Sequence, residues 1–295
     1  MRGSMQLSIT LVSPDPQAVS EAIDRVRAQT GAGDPRPLGP GAVDLAAAGQ
    51  PILTRGLLDA VLGDLPVDIC IQPAAGRRKR LLVADMDSTI IGCECLDELA
   101  DFAGVKAVVS EITERAMRGE LAFEGALRER VAMLKGLELS ALQRCYDERV
   151  KLNPGARTLV RTMAASGARC LLVSGGFTFF TSRVAAAAGF HEDRANTLIE
   201  DAAGLTGQVG EPILGREAKL AALQDEALRL GIPLTETLAV GDGANDLAMI
   251  EAAGLGVAYR AKPVVAAQAH ARVDYSDLTA LLYFQGYAAN QFVSD

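Results

Sequence analysis

Asp85 and Asp87 stand two residues apart, directly behind the apolar run Leu81-Leu82-Val83-Ala84. That run reads as a strand covered on both faces, as in a parallel sheet flanked by helices, so the chain carries two acids to the sheet's carboxyl edge. Open α/β sheets bind ligands in the crevice outside this edge. An Asp-x-Asp pair by itself is equally the chemistry of a solvated turn or a helix cap. Three further segments follow in order, each read as ending a strand: CLLVSGGF with Ser174 and Gly175, LGREAKL with Lys219, and TLAVGDGANDLAM with Gly241, Asp242 and Asp246. Taken singly, each has a plain alternative. Ser174 before two glycines suits an ordinary turn, Lys219 a surface charge on a helix, and Asp246 a first-turn acid stabilised by the helix dipole. Taken together they invite a convergence of Asp85, Asp242 and Asp246, in which two like charges at about 4 Å repel by ~4 kcal/mol at an effective dielectric of ~20. A hard divalent cation relieves that repulsion, and Mg²⁺ binds in this way through one or two carboxylates plus a substrate phosphate. With His191 and His270 as the only histidines, a histidine-rich zinc or di-iron centre and a Ser-His-Asp triad are both set aside.

The ordered set resembles the four motifs of the haloacid dehalogenase superfamily. Asp85, Asp87 and Thr89 match its Asp-x-Asp-x-Thr, Ser174 its strand-end serine, Lys219 its lysine, and Gly241, Asp242 and Asp246 its Gly-Asp-x-x-x-Asp. The resemblance implies that Asp85 attacks phosphorus as a carboxylate nucleophile and that water then hydrolyses the aspartyl-phosphate. It makes Asp87 the general acid and base, with a pKa lifted by burial or by Asp85. Ser174, the backbone after it and Lys219 hold the phosphoryl oxygens. Asp85, Asp242 and Asp246 ligate Mg²⁺ with their side chains, and Asp87 does so through its backbone carbonyl. Asn245, between Asp242 and Asp246, is either a group orienting the metal site or a helix cap, and the resemblance also sets it, with Gly175, among the substrate contacts.

Members of such a superfamily differ in what is inserted behind the first motif. Here the segments LDELADFAG, VVSEITERAMRGE, AFEGALRERVAMLKG and SALQRCYDERV have helical spacing of apolar residues, which predicts a helical cap over residues 92–153 inserted in a core of 80–91 and 154–287. The stretch DMDSTIIGCECLDELA narrows the resemblance to the phosphoserine phosphatases, bacterial in type. It places Glu94 on the glutamate that meets the substrate ammonium, Met117 and Phe123 on residues closing over the site, and Arg130 on the arginine gripping the substrate carboxylate. A planar guanidinium fork suits that last task. On residue type alone, Glu94 near a helix start is equally a dipole-stabilising acid, and Arg130 a member of a surface ion pair. The substrate implied is O-phospho-L-serine, in the last step of serine synthesis. A rival reading keeps the aspartyl-phosphate but passes it to another acceptor, or takes another small phosphomonoester; a second rival is a non-catalytic amino-acid sensor.

The rest of the chain sets the frame. A formal charge of −8 argues against nucleic acid as a partner, and no apolar stretch reaches the ~20 residues of a membrane span. Cys70, Cys93, Cys95, Cys145 and Cys170 have no repeated metal spacing, and their odd number suits a reducing compartment, so a cytoplasmic enzyme is expected. Cys93 and Cys95 flank Glu94 and read as buried or cap-lining thiols. Ahead of the core, QLSITLVS, PQAVSEAIDRVRAQ, a short strand near Pro35 to Leu38, AVDLAAAG, PILTRGLLDAVLG and VDICIQP alternate as βαββαβ. This predicts a ferredoxin-like module over 5–73 that resembles the ACT type, with regulation by an amino acid or subunit pairing as a homodimer as its implied roles. Residues 74–79, with the basic run Arg77, Arg78, Lys79 and Arg80, read as a linker. Met1 to Ser4 reads as a leader ahead of a start at Met5.

Overall fold

The computed structural model describes residues 6–48, 54–117 and 120–293. The leader Met1 to Ser4 lies outside the described residues.

The first six elements are β1 (Gln6–Val12), α1 (Pro16–Thr30), β2 (Arg36–Gly39), β3 (Ala42–Ala48), α2 (Arg55–Leu62) and β4 (Asp68–Pro73). They form a four-stranded antiparallel sheet in the order β2-β3-β1-β4, the βαββαβ succession expected. Alternation assigns the faces. Ile9, Leu11, Val43, Leu45 and Ile69 pack under the two helices, against Ala22, Val26, Leu58 and Leu62. Helix α1 starts where Asp15 accepts the N–H of Gln17 and stops at left-handed Gly31.

The second sheet is built from β5 (Leu81–Ala84), β6 (Arg169–Phe177), β7 (Glu192–Asn196), β10 (Thr237–Gly241), β11 (Leu255–Tyr259) and β12 (Ala271–Val273), all parallel, in the order β12-β11-β10-β5-β6-β7. The four residues of β5 are wholly buried because Leu82 and Ala84 face one layer and Leu81 and Val83 the other. Helices α7 (Ala156–Ala165), α8 (Thr178–Ala188), α9 (Glu217–Leu230), α10 (Leu247–Ala252), α11 (Pro263–Gln268) and α12 (Ala280–Phe284) supply those layers. Register then places the chemistry. Ala84 lies opposite Val240 on one side and Leu172 on the other, so Asp85, Asp242 and Ser174 leave the sheet at nearly one level.

Beyond Asp85 the chain makes a tight turn over Met86–Ile90 and enters four helices: α3 (Cys95–Phe102), α4 (Lys106–Met117), α5 (Phe123–Ala132) and α6 (Leu139–Arg149). They follow the expected helical segments. The two connections between these helices and the sheet run side by side, Ile91 bridging to Leu152, Gly92 N–H to the Lys151 carbonyl and Asn153 N–H to that of Ile90. The Asn153 amide also donates to the Thr89 and Ile91 carbonyls, cross-tying the junction.

Two features depart from expectation. A hairpin, β8 (Leu198–Asp201) and β9 (Gly204–Val209), leaves the sheet side and docks on the cap beside α5. Leu205 exchanges backbone hydrogen bonds with Gly136 and Leu137 at 2.8 and 2.9 Å, and a Cβ at Gly204 would lie 2.5 Å from the Leu137 carbonyl oxygen. The sequence Leu198-Ile199-Glu200-Asp201 is too short to announce a strand, and all of it but Leu198 is exposed.

The segment 74–79, expected as a linker, is partly buried. Arg77 and Lys79 are buried while Arg78 and Arg80 are exposed, an alternation that the uniform charge of the run conceals. Arg77 forks onto both oxygens of Asp44 at 2.7 and 2.9 Å and donates to the Phe284 carbonyl; Lys79 donates to the carbonyls of Gly76 and Thr235. Asp68 accepts the N–H groups of Asp274 and Ser276, and Arg55 reaches the carbonyls of Ala266 and Ala269. The outer face of the first sheet is therefore seated on the second through saturated buried charges, with Val12, Leu38, Ala42 and Cys70 joining the main core. Among the described residues no helix is long and apolar enough to cross a membrane.

Candidate active site

At the carboxyl edge, Asp85, Asp242 and Asp246 each offer a carboxylate oxygen, all within 4.8 Å of one another. The Lys219 ammonium sits between two of them, 2.6 Å from Asp85 Oδ1 and 2.5 Å from Asp246 Oδ1. Lys219 does not end a strand: it lies in the first turn of α9 and, instead of facing solvent, is buried against the acids. Its charge is secured because both carboxylates outweigh the burial that opposes it, raising its pKa. Burial, and Asp246 after it, raise the Asp85 pKa well above the ordinary carboxylate value, against the opposing pull of Lys219. Asp246 is fixed by the N–H groups of Asp242 and Gly243, which donate to its Oδ2 at 3.1 and 2.9 Å. A Cβ at Gly241 would come within 2.4 Å of the Asp246 carboxyl carbon, which is why glycine ends β10. Thr89 donates to Asp242 Oδ1 at 3.2 Å, and burial with Asp246 lifts the Asp242 pKa to about 6.

Asp87 points away from this cluster. One oxygen accepts the Cys95 N–H at 3.0 Å and the other the Ser174 hydroxyl at 3.3 Å. Burial first and the neighbouring Glu94 second raise its pKa to about 6. Ser174 Oγ in turn accepts the Gly176 N–H at 2.9 Å, and a Cβ at Gly176 would lie 2.9 Å from the Asp87 carboxylate. This loop is clamped by Asn196, a buried residue that the sequence reading missed. Its amide donates to the Gly175 carbonyl at 2.9 Å and its oxygen accepts the Leu214 N–H at 2.7 Å, joining the serine loop to the segment leading into α9. No spacing or composition marks Asn196 in advance.

The cap contributes from above. Phe123 opens α5 and reaches Gly175, where an added Cβ would stand 3.4 Å from the ring. Arg130 is half-buried, with Nε on the Ala126 carbonyl and Nη1 3.5 Å from the Thr113 hydroxyl. Burial lowers its pKa, opposed by the charges of Asp97 and Glu94. Glu94 is exposed, precedes α3 without capping it, and accepts a hydrogen bond from the Ser88 hydroxyl at 2.6 Å. Asn245 lies in the tight turn Gly243 to Asp246, its oxygen 2.4 Å from where a Gly243 Cβ would stand; the N-cap of α10 is Asp246. Met117 ends α4, and its side chain lies outside the described residues. Cys95 is buried and Cys93 half-buried, both as free thiols.

Three carboxylates thus surround one ammonium, and the ligand atoms they offer are all oxygens, a set that fits a hard divalent cation. The model of the haloacid dehalogenase-like hydrolases matches residues 82–251, more than half of the chain. A phosphoserine phosphatase of Polaromonas is 46% identical over 208 residues, which cover 69% of this chain and 88% of that protein. The chain belongs to the phosphoserine phosphatases of the haloacid dehalogenase-like hydrolase family. A family member from Streptomyces coelicolor is 44% identical over 250 residues, 83% of this chain; the match spans only 60% of that longer protein. The crystal structure of a probable phosphoserine phosphatase from Vibrio cholerae, in unliganded form, superposes with a TM-score of 0.78 at 30% identity, covering 97% of this chain and 88% of that one. That superposition takes in the N-terminal sheet as well as the catalytic one.

Proposed function

We propose that this chain hydrolyses O-phospho-L-serine to L-serine and phosphate. The observation that carries the reading is the meeting of two sets of groups. Below are the carboxylates of Asp85, Asp242 and Asp246 with Lys219; above, beside Asp87, are an acid and a base in the cap, Glu94 and Arg130. The lower set suits a phosphoryl group and the upper pair an amino-acid headgroup. Mg²⁺ is the proposed cofactor, held by the Asp85, Asp242 and Asp246 carboxylates and the Asp87 carbonyl, and when bound it neutralises charge on the phosphoryl oxygens.

In this reading the Asp85 carboxylate attacks phosphorus and the serine alkoxide departs with a proton from Asp87. That assignment suits a carboxyl group whose pKa stands at about 6. Asp87 then takes a proton from the water that attacks the acyl-phosphate, releasing phosphate and restoring Asp85. Lys219, the Ser174 hydroxyl and the adjoining backbone steady the phosphoryl oxygens. Glu94 pairs with the substrate ammonium, Arg130 forks onto its carboxylate, Phe123 and Met117 close the pocket, and Gly175 and Asn245 line it. We also read the N-terminal βαββαβ unit as an ACT-like module, with homodimer formation as one role, and place the enzyme in the cytoplasm, in keeping with its five free thiols.

The test is phosphate release from O-phospho-L-serine, O-phosphothreonine and p-nitrophenyl phosphate at matched concentrations, with Mg²⁺ and with EDTA. Metal-dependent turnover that prefers phosphoserine is expected. Metal-dependent turnover without preference would overturn the substrate, and phosphate transfer to an added alcohol in place of release would make the chain a phosphotransferase.

A further inference from the structure

The turn after the proposed nucleophile contains a residue that its backbone does not favour. Ser88 has φ 56° and ψ 0°, in the left-handed region, and Arg260 is the other non-glycine residue at positive φ among those described. Glycine would adopt this conformation without strain. What glycine lacks is the hydroxyl, and in this structure that hydroxyl is committed: it donates to Glu94 Oε1 at 2.6 Å. The loop between them is closed a second time by the Ser88 N–H on the Cys93 carbonyl, and a third time by the Cys95 N–H on Asp87. Asp87 and Ser88 thus grip Glu94 and Cys95 side by side. An exposed glutamate at the mouth of a pocket otherwise has free rotation about its side-chain bonds, and fixing it in advance removes an entropic cost from binding.

We propose that Ser88 is a positioning residue for substrate specificity: it holds one oxygen of Glu94 so that the other faces the ligand's ammonium group. The inference rests on the reading of the site as one for an amino-acid phosphoester. It assigns Ser88 no contact with the reacting atoms. Its contribution is therefore confined to substrates that carry the ammonium.

Ser88→Gly is the informative variant, because it deletes the hydroxyl while relieving the backbone, so its melting temperature should not fall. KM and kcat are measured for O-phospho-L-serine and p-nitrophenyl phosphate in the wild type, S88G, E94Q and the double variant. The expected result is a KM for phosphoserine raised about 10-fold in S88G, the scale of one hydrogen bond to a charged group, with kcat within about twofold and the featureless ester unaffected. In the E94Q background S88G should add nothing further. Equal losses on both esters, or the same added loss with and without Glu94, overturn the role of Ser88 while leaving the site's reading intact. A wild type that does not prefer phosphoserine at all overturns the reading and the inference with it.

Discussion

Replacing Lys219 with methionine removes the ammonium from between Asp85 and Asp246 while keeping most of the side chain's volume. Both acids remain buried, and Asp85 loses the contact at 2.6 Å that offsets its burial. Breaking a buried pair from one side costs about 3–5 kcal/mol, because an uncompensated charge is left behind. With an unfolding entropy of about 2.1 cal/mol/K per residue, a chain of 295 residues that unfolds as one unit loses about 1.6 °C per kcal/mol. Calorimetry in EDTA should therefore show K219M melting about 5–8 °C below the wild type. Mg²⁺, as the proposed cofactor, would replace part of the missing positive charge, so the gain in melting temperature on adding it should be larger in K219M than in the wild type. Turnover should fall by about 10²–10³, the scale for losing one electrostatic stabiliser of the transition state. An EDTA melting point within about 1 °C of the wild type would refute the argument that Lys219 carries the charge balance of this pocket.

Arg130→Ala should raise KM for phosphoserine by at least about 10-fold and leave p-nitrophenyl phosphate nearly unchanged in steady-state kinetics; equal losses on both would remove Arg130 from substrate recognition. The pH dependence of Asp242 has a definite sign. Its pKa is raised from 3.8 to about 6, so in the metal-free protein it costs stability above about pH 6 and nothing below 3.8. Asp242→Asn should accordingly melt above the wild type at pH 7.5 in EDTA and level with it at pH 4, and equal melting points at pH 7.5 would contradict that shift. Arg77→Ala leaves Asp44 buried with Thr10 and the largely exposed Arg36, and should cost about 3 kcal/mol in chemical denaturation at neutral pH. Burial raises the Asp44 pKa, but Arg77 first, then Thr10 and Arg36, together pull it lower, so the net shift is downward from 3.8. The stability this contributes is fully present above pH 3.8 and is lost as pH falls below that through the lowered folded value, so the deficit of the variant should shrink in strong acid.

The central strands of the catalytic sheet were legible because they are buried on both faces: Leu81 to Ala84 has no polar position at which the period could be misread, whereas the polar, half-buried edge strand β7 gave no such signal. The cap helices were legible for the opposite reason, since each alternates between a buried and a wet face. What the sequence concealed depends on partners distant along the chain. Lys219 reads as a helix-surface charge until the acids of β5 and β10 are brought to it, and Arg77 as part of a basic run until Asp44 and the carbonyls of α12 surround it. The β8–β9 hairpin is stabilised by backbone bonds to the cap, which no side-chain pattern records. Ser88 and Asn196 are single polar residues whose meaning lies in one or two hydrogen bonds each. Such contacts carry no period.

In the proposed reading, where the cap recognises the substrate, the docked hairpin changes what counts as the unit of specificity. A cap joined to its core only at Ile91 and Leu152 would be a cassette that could be exchanged between relatives by two cuts in the gene. Here the cap also leans on residues more than fifty positions downstream, where Gly204 and Gly207 permit a contact that any larger residue would block. A graft of residues 92–153 alone would bring foreign helices onto a hairpin shaped for others. Transplanting specificity from this chain therefore means moving two separate stretches of sequence together, and natural divergence of the cap faces the same requirement of paired change.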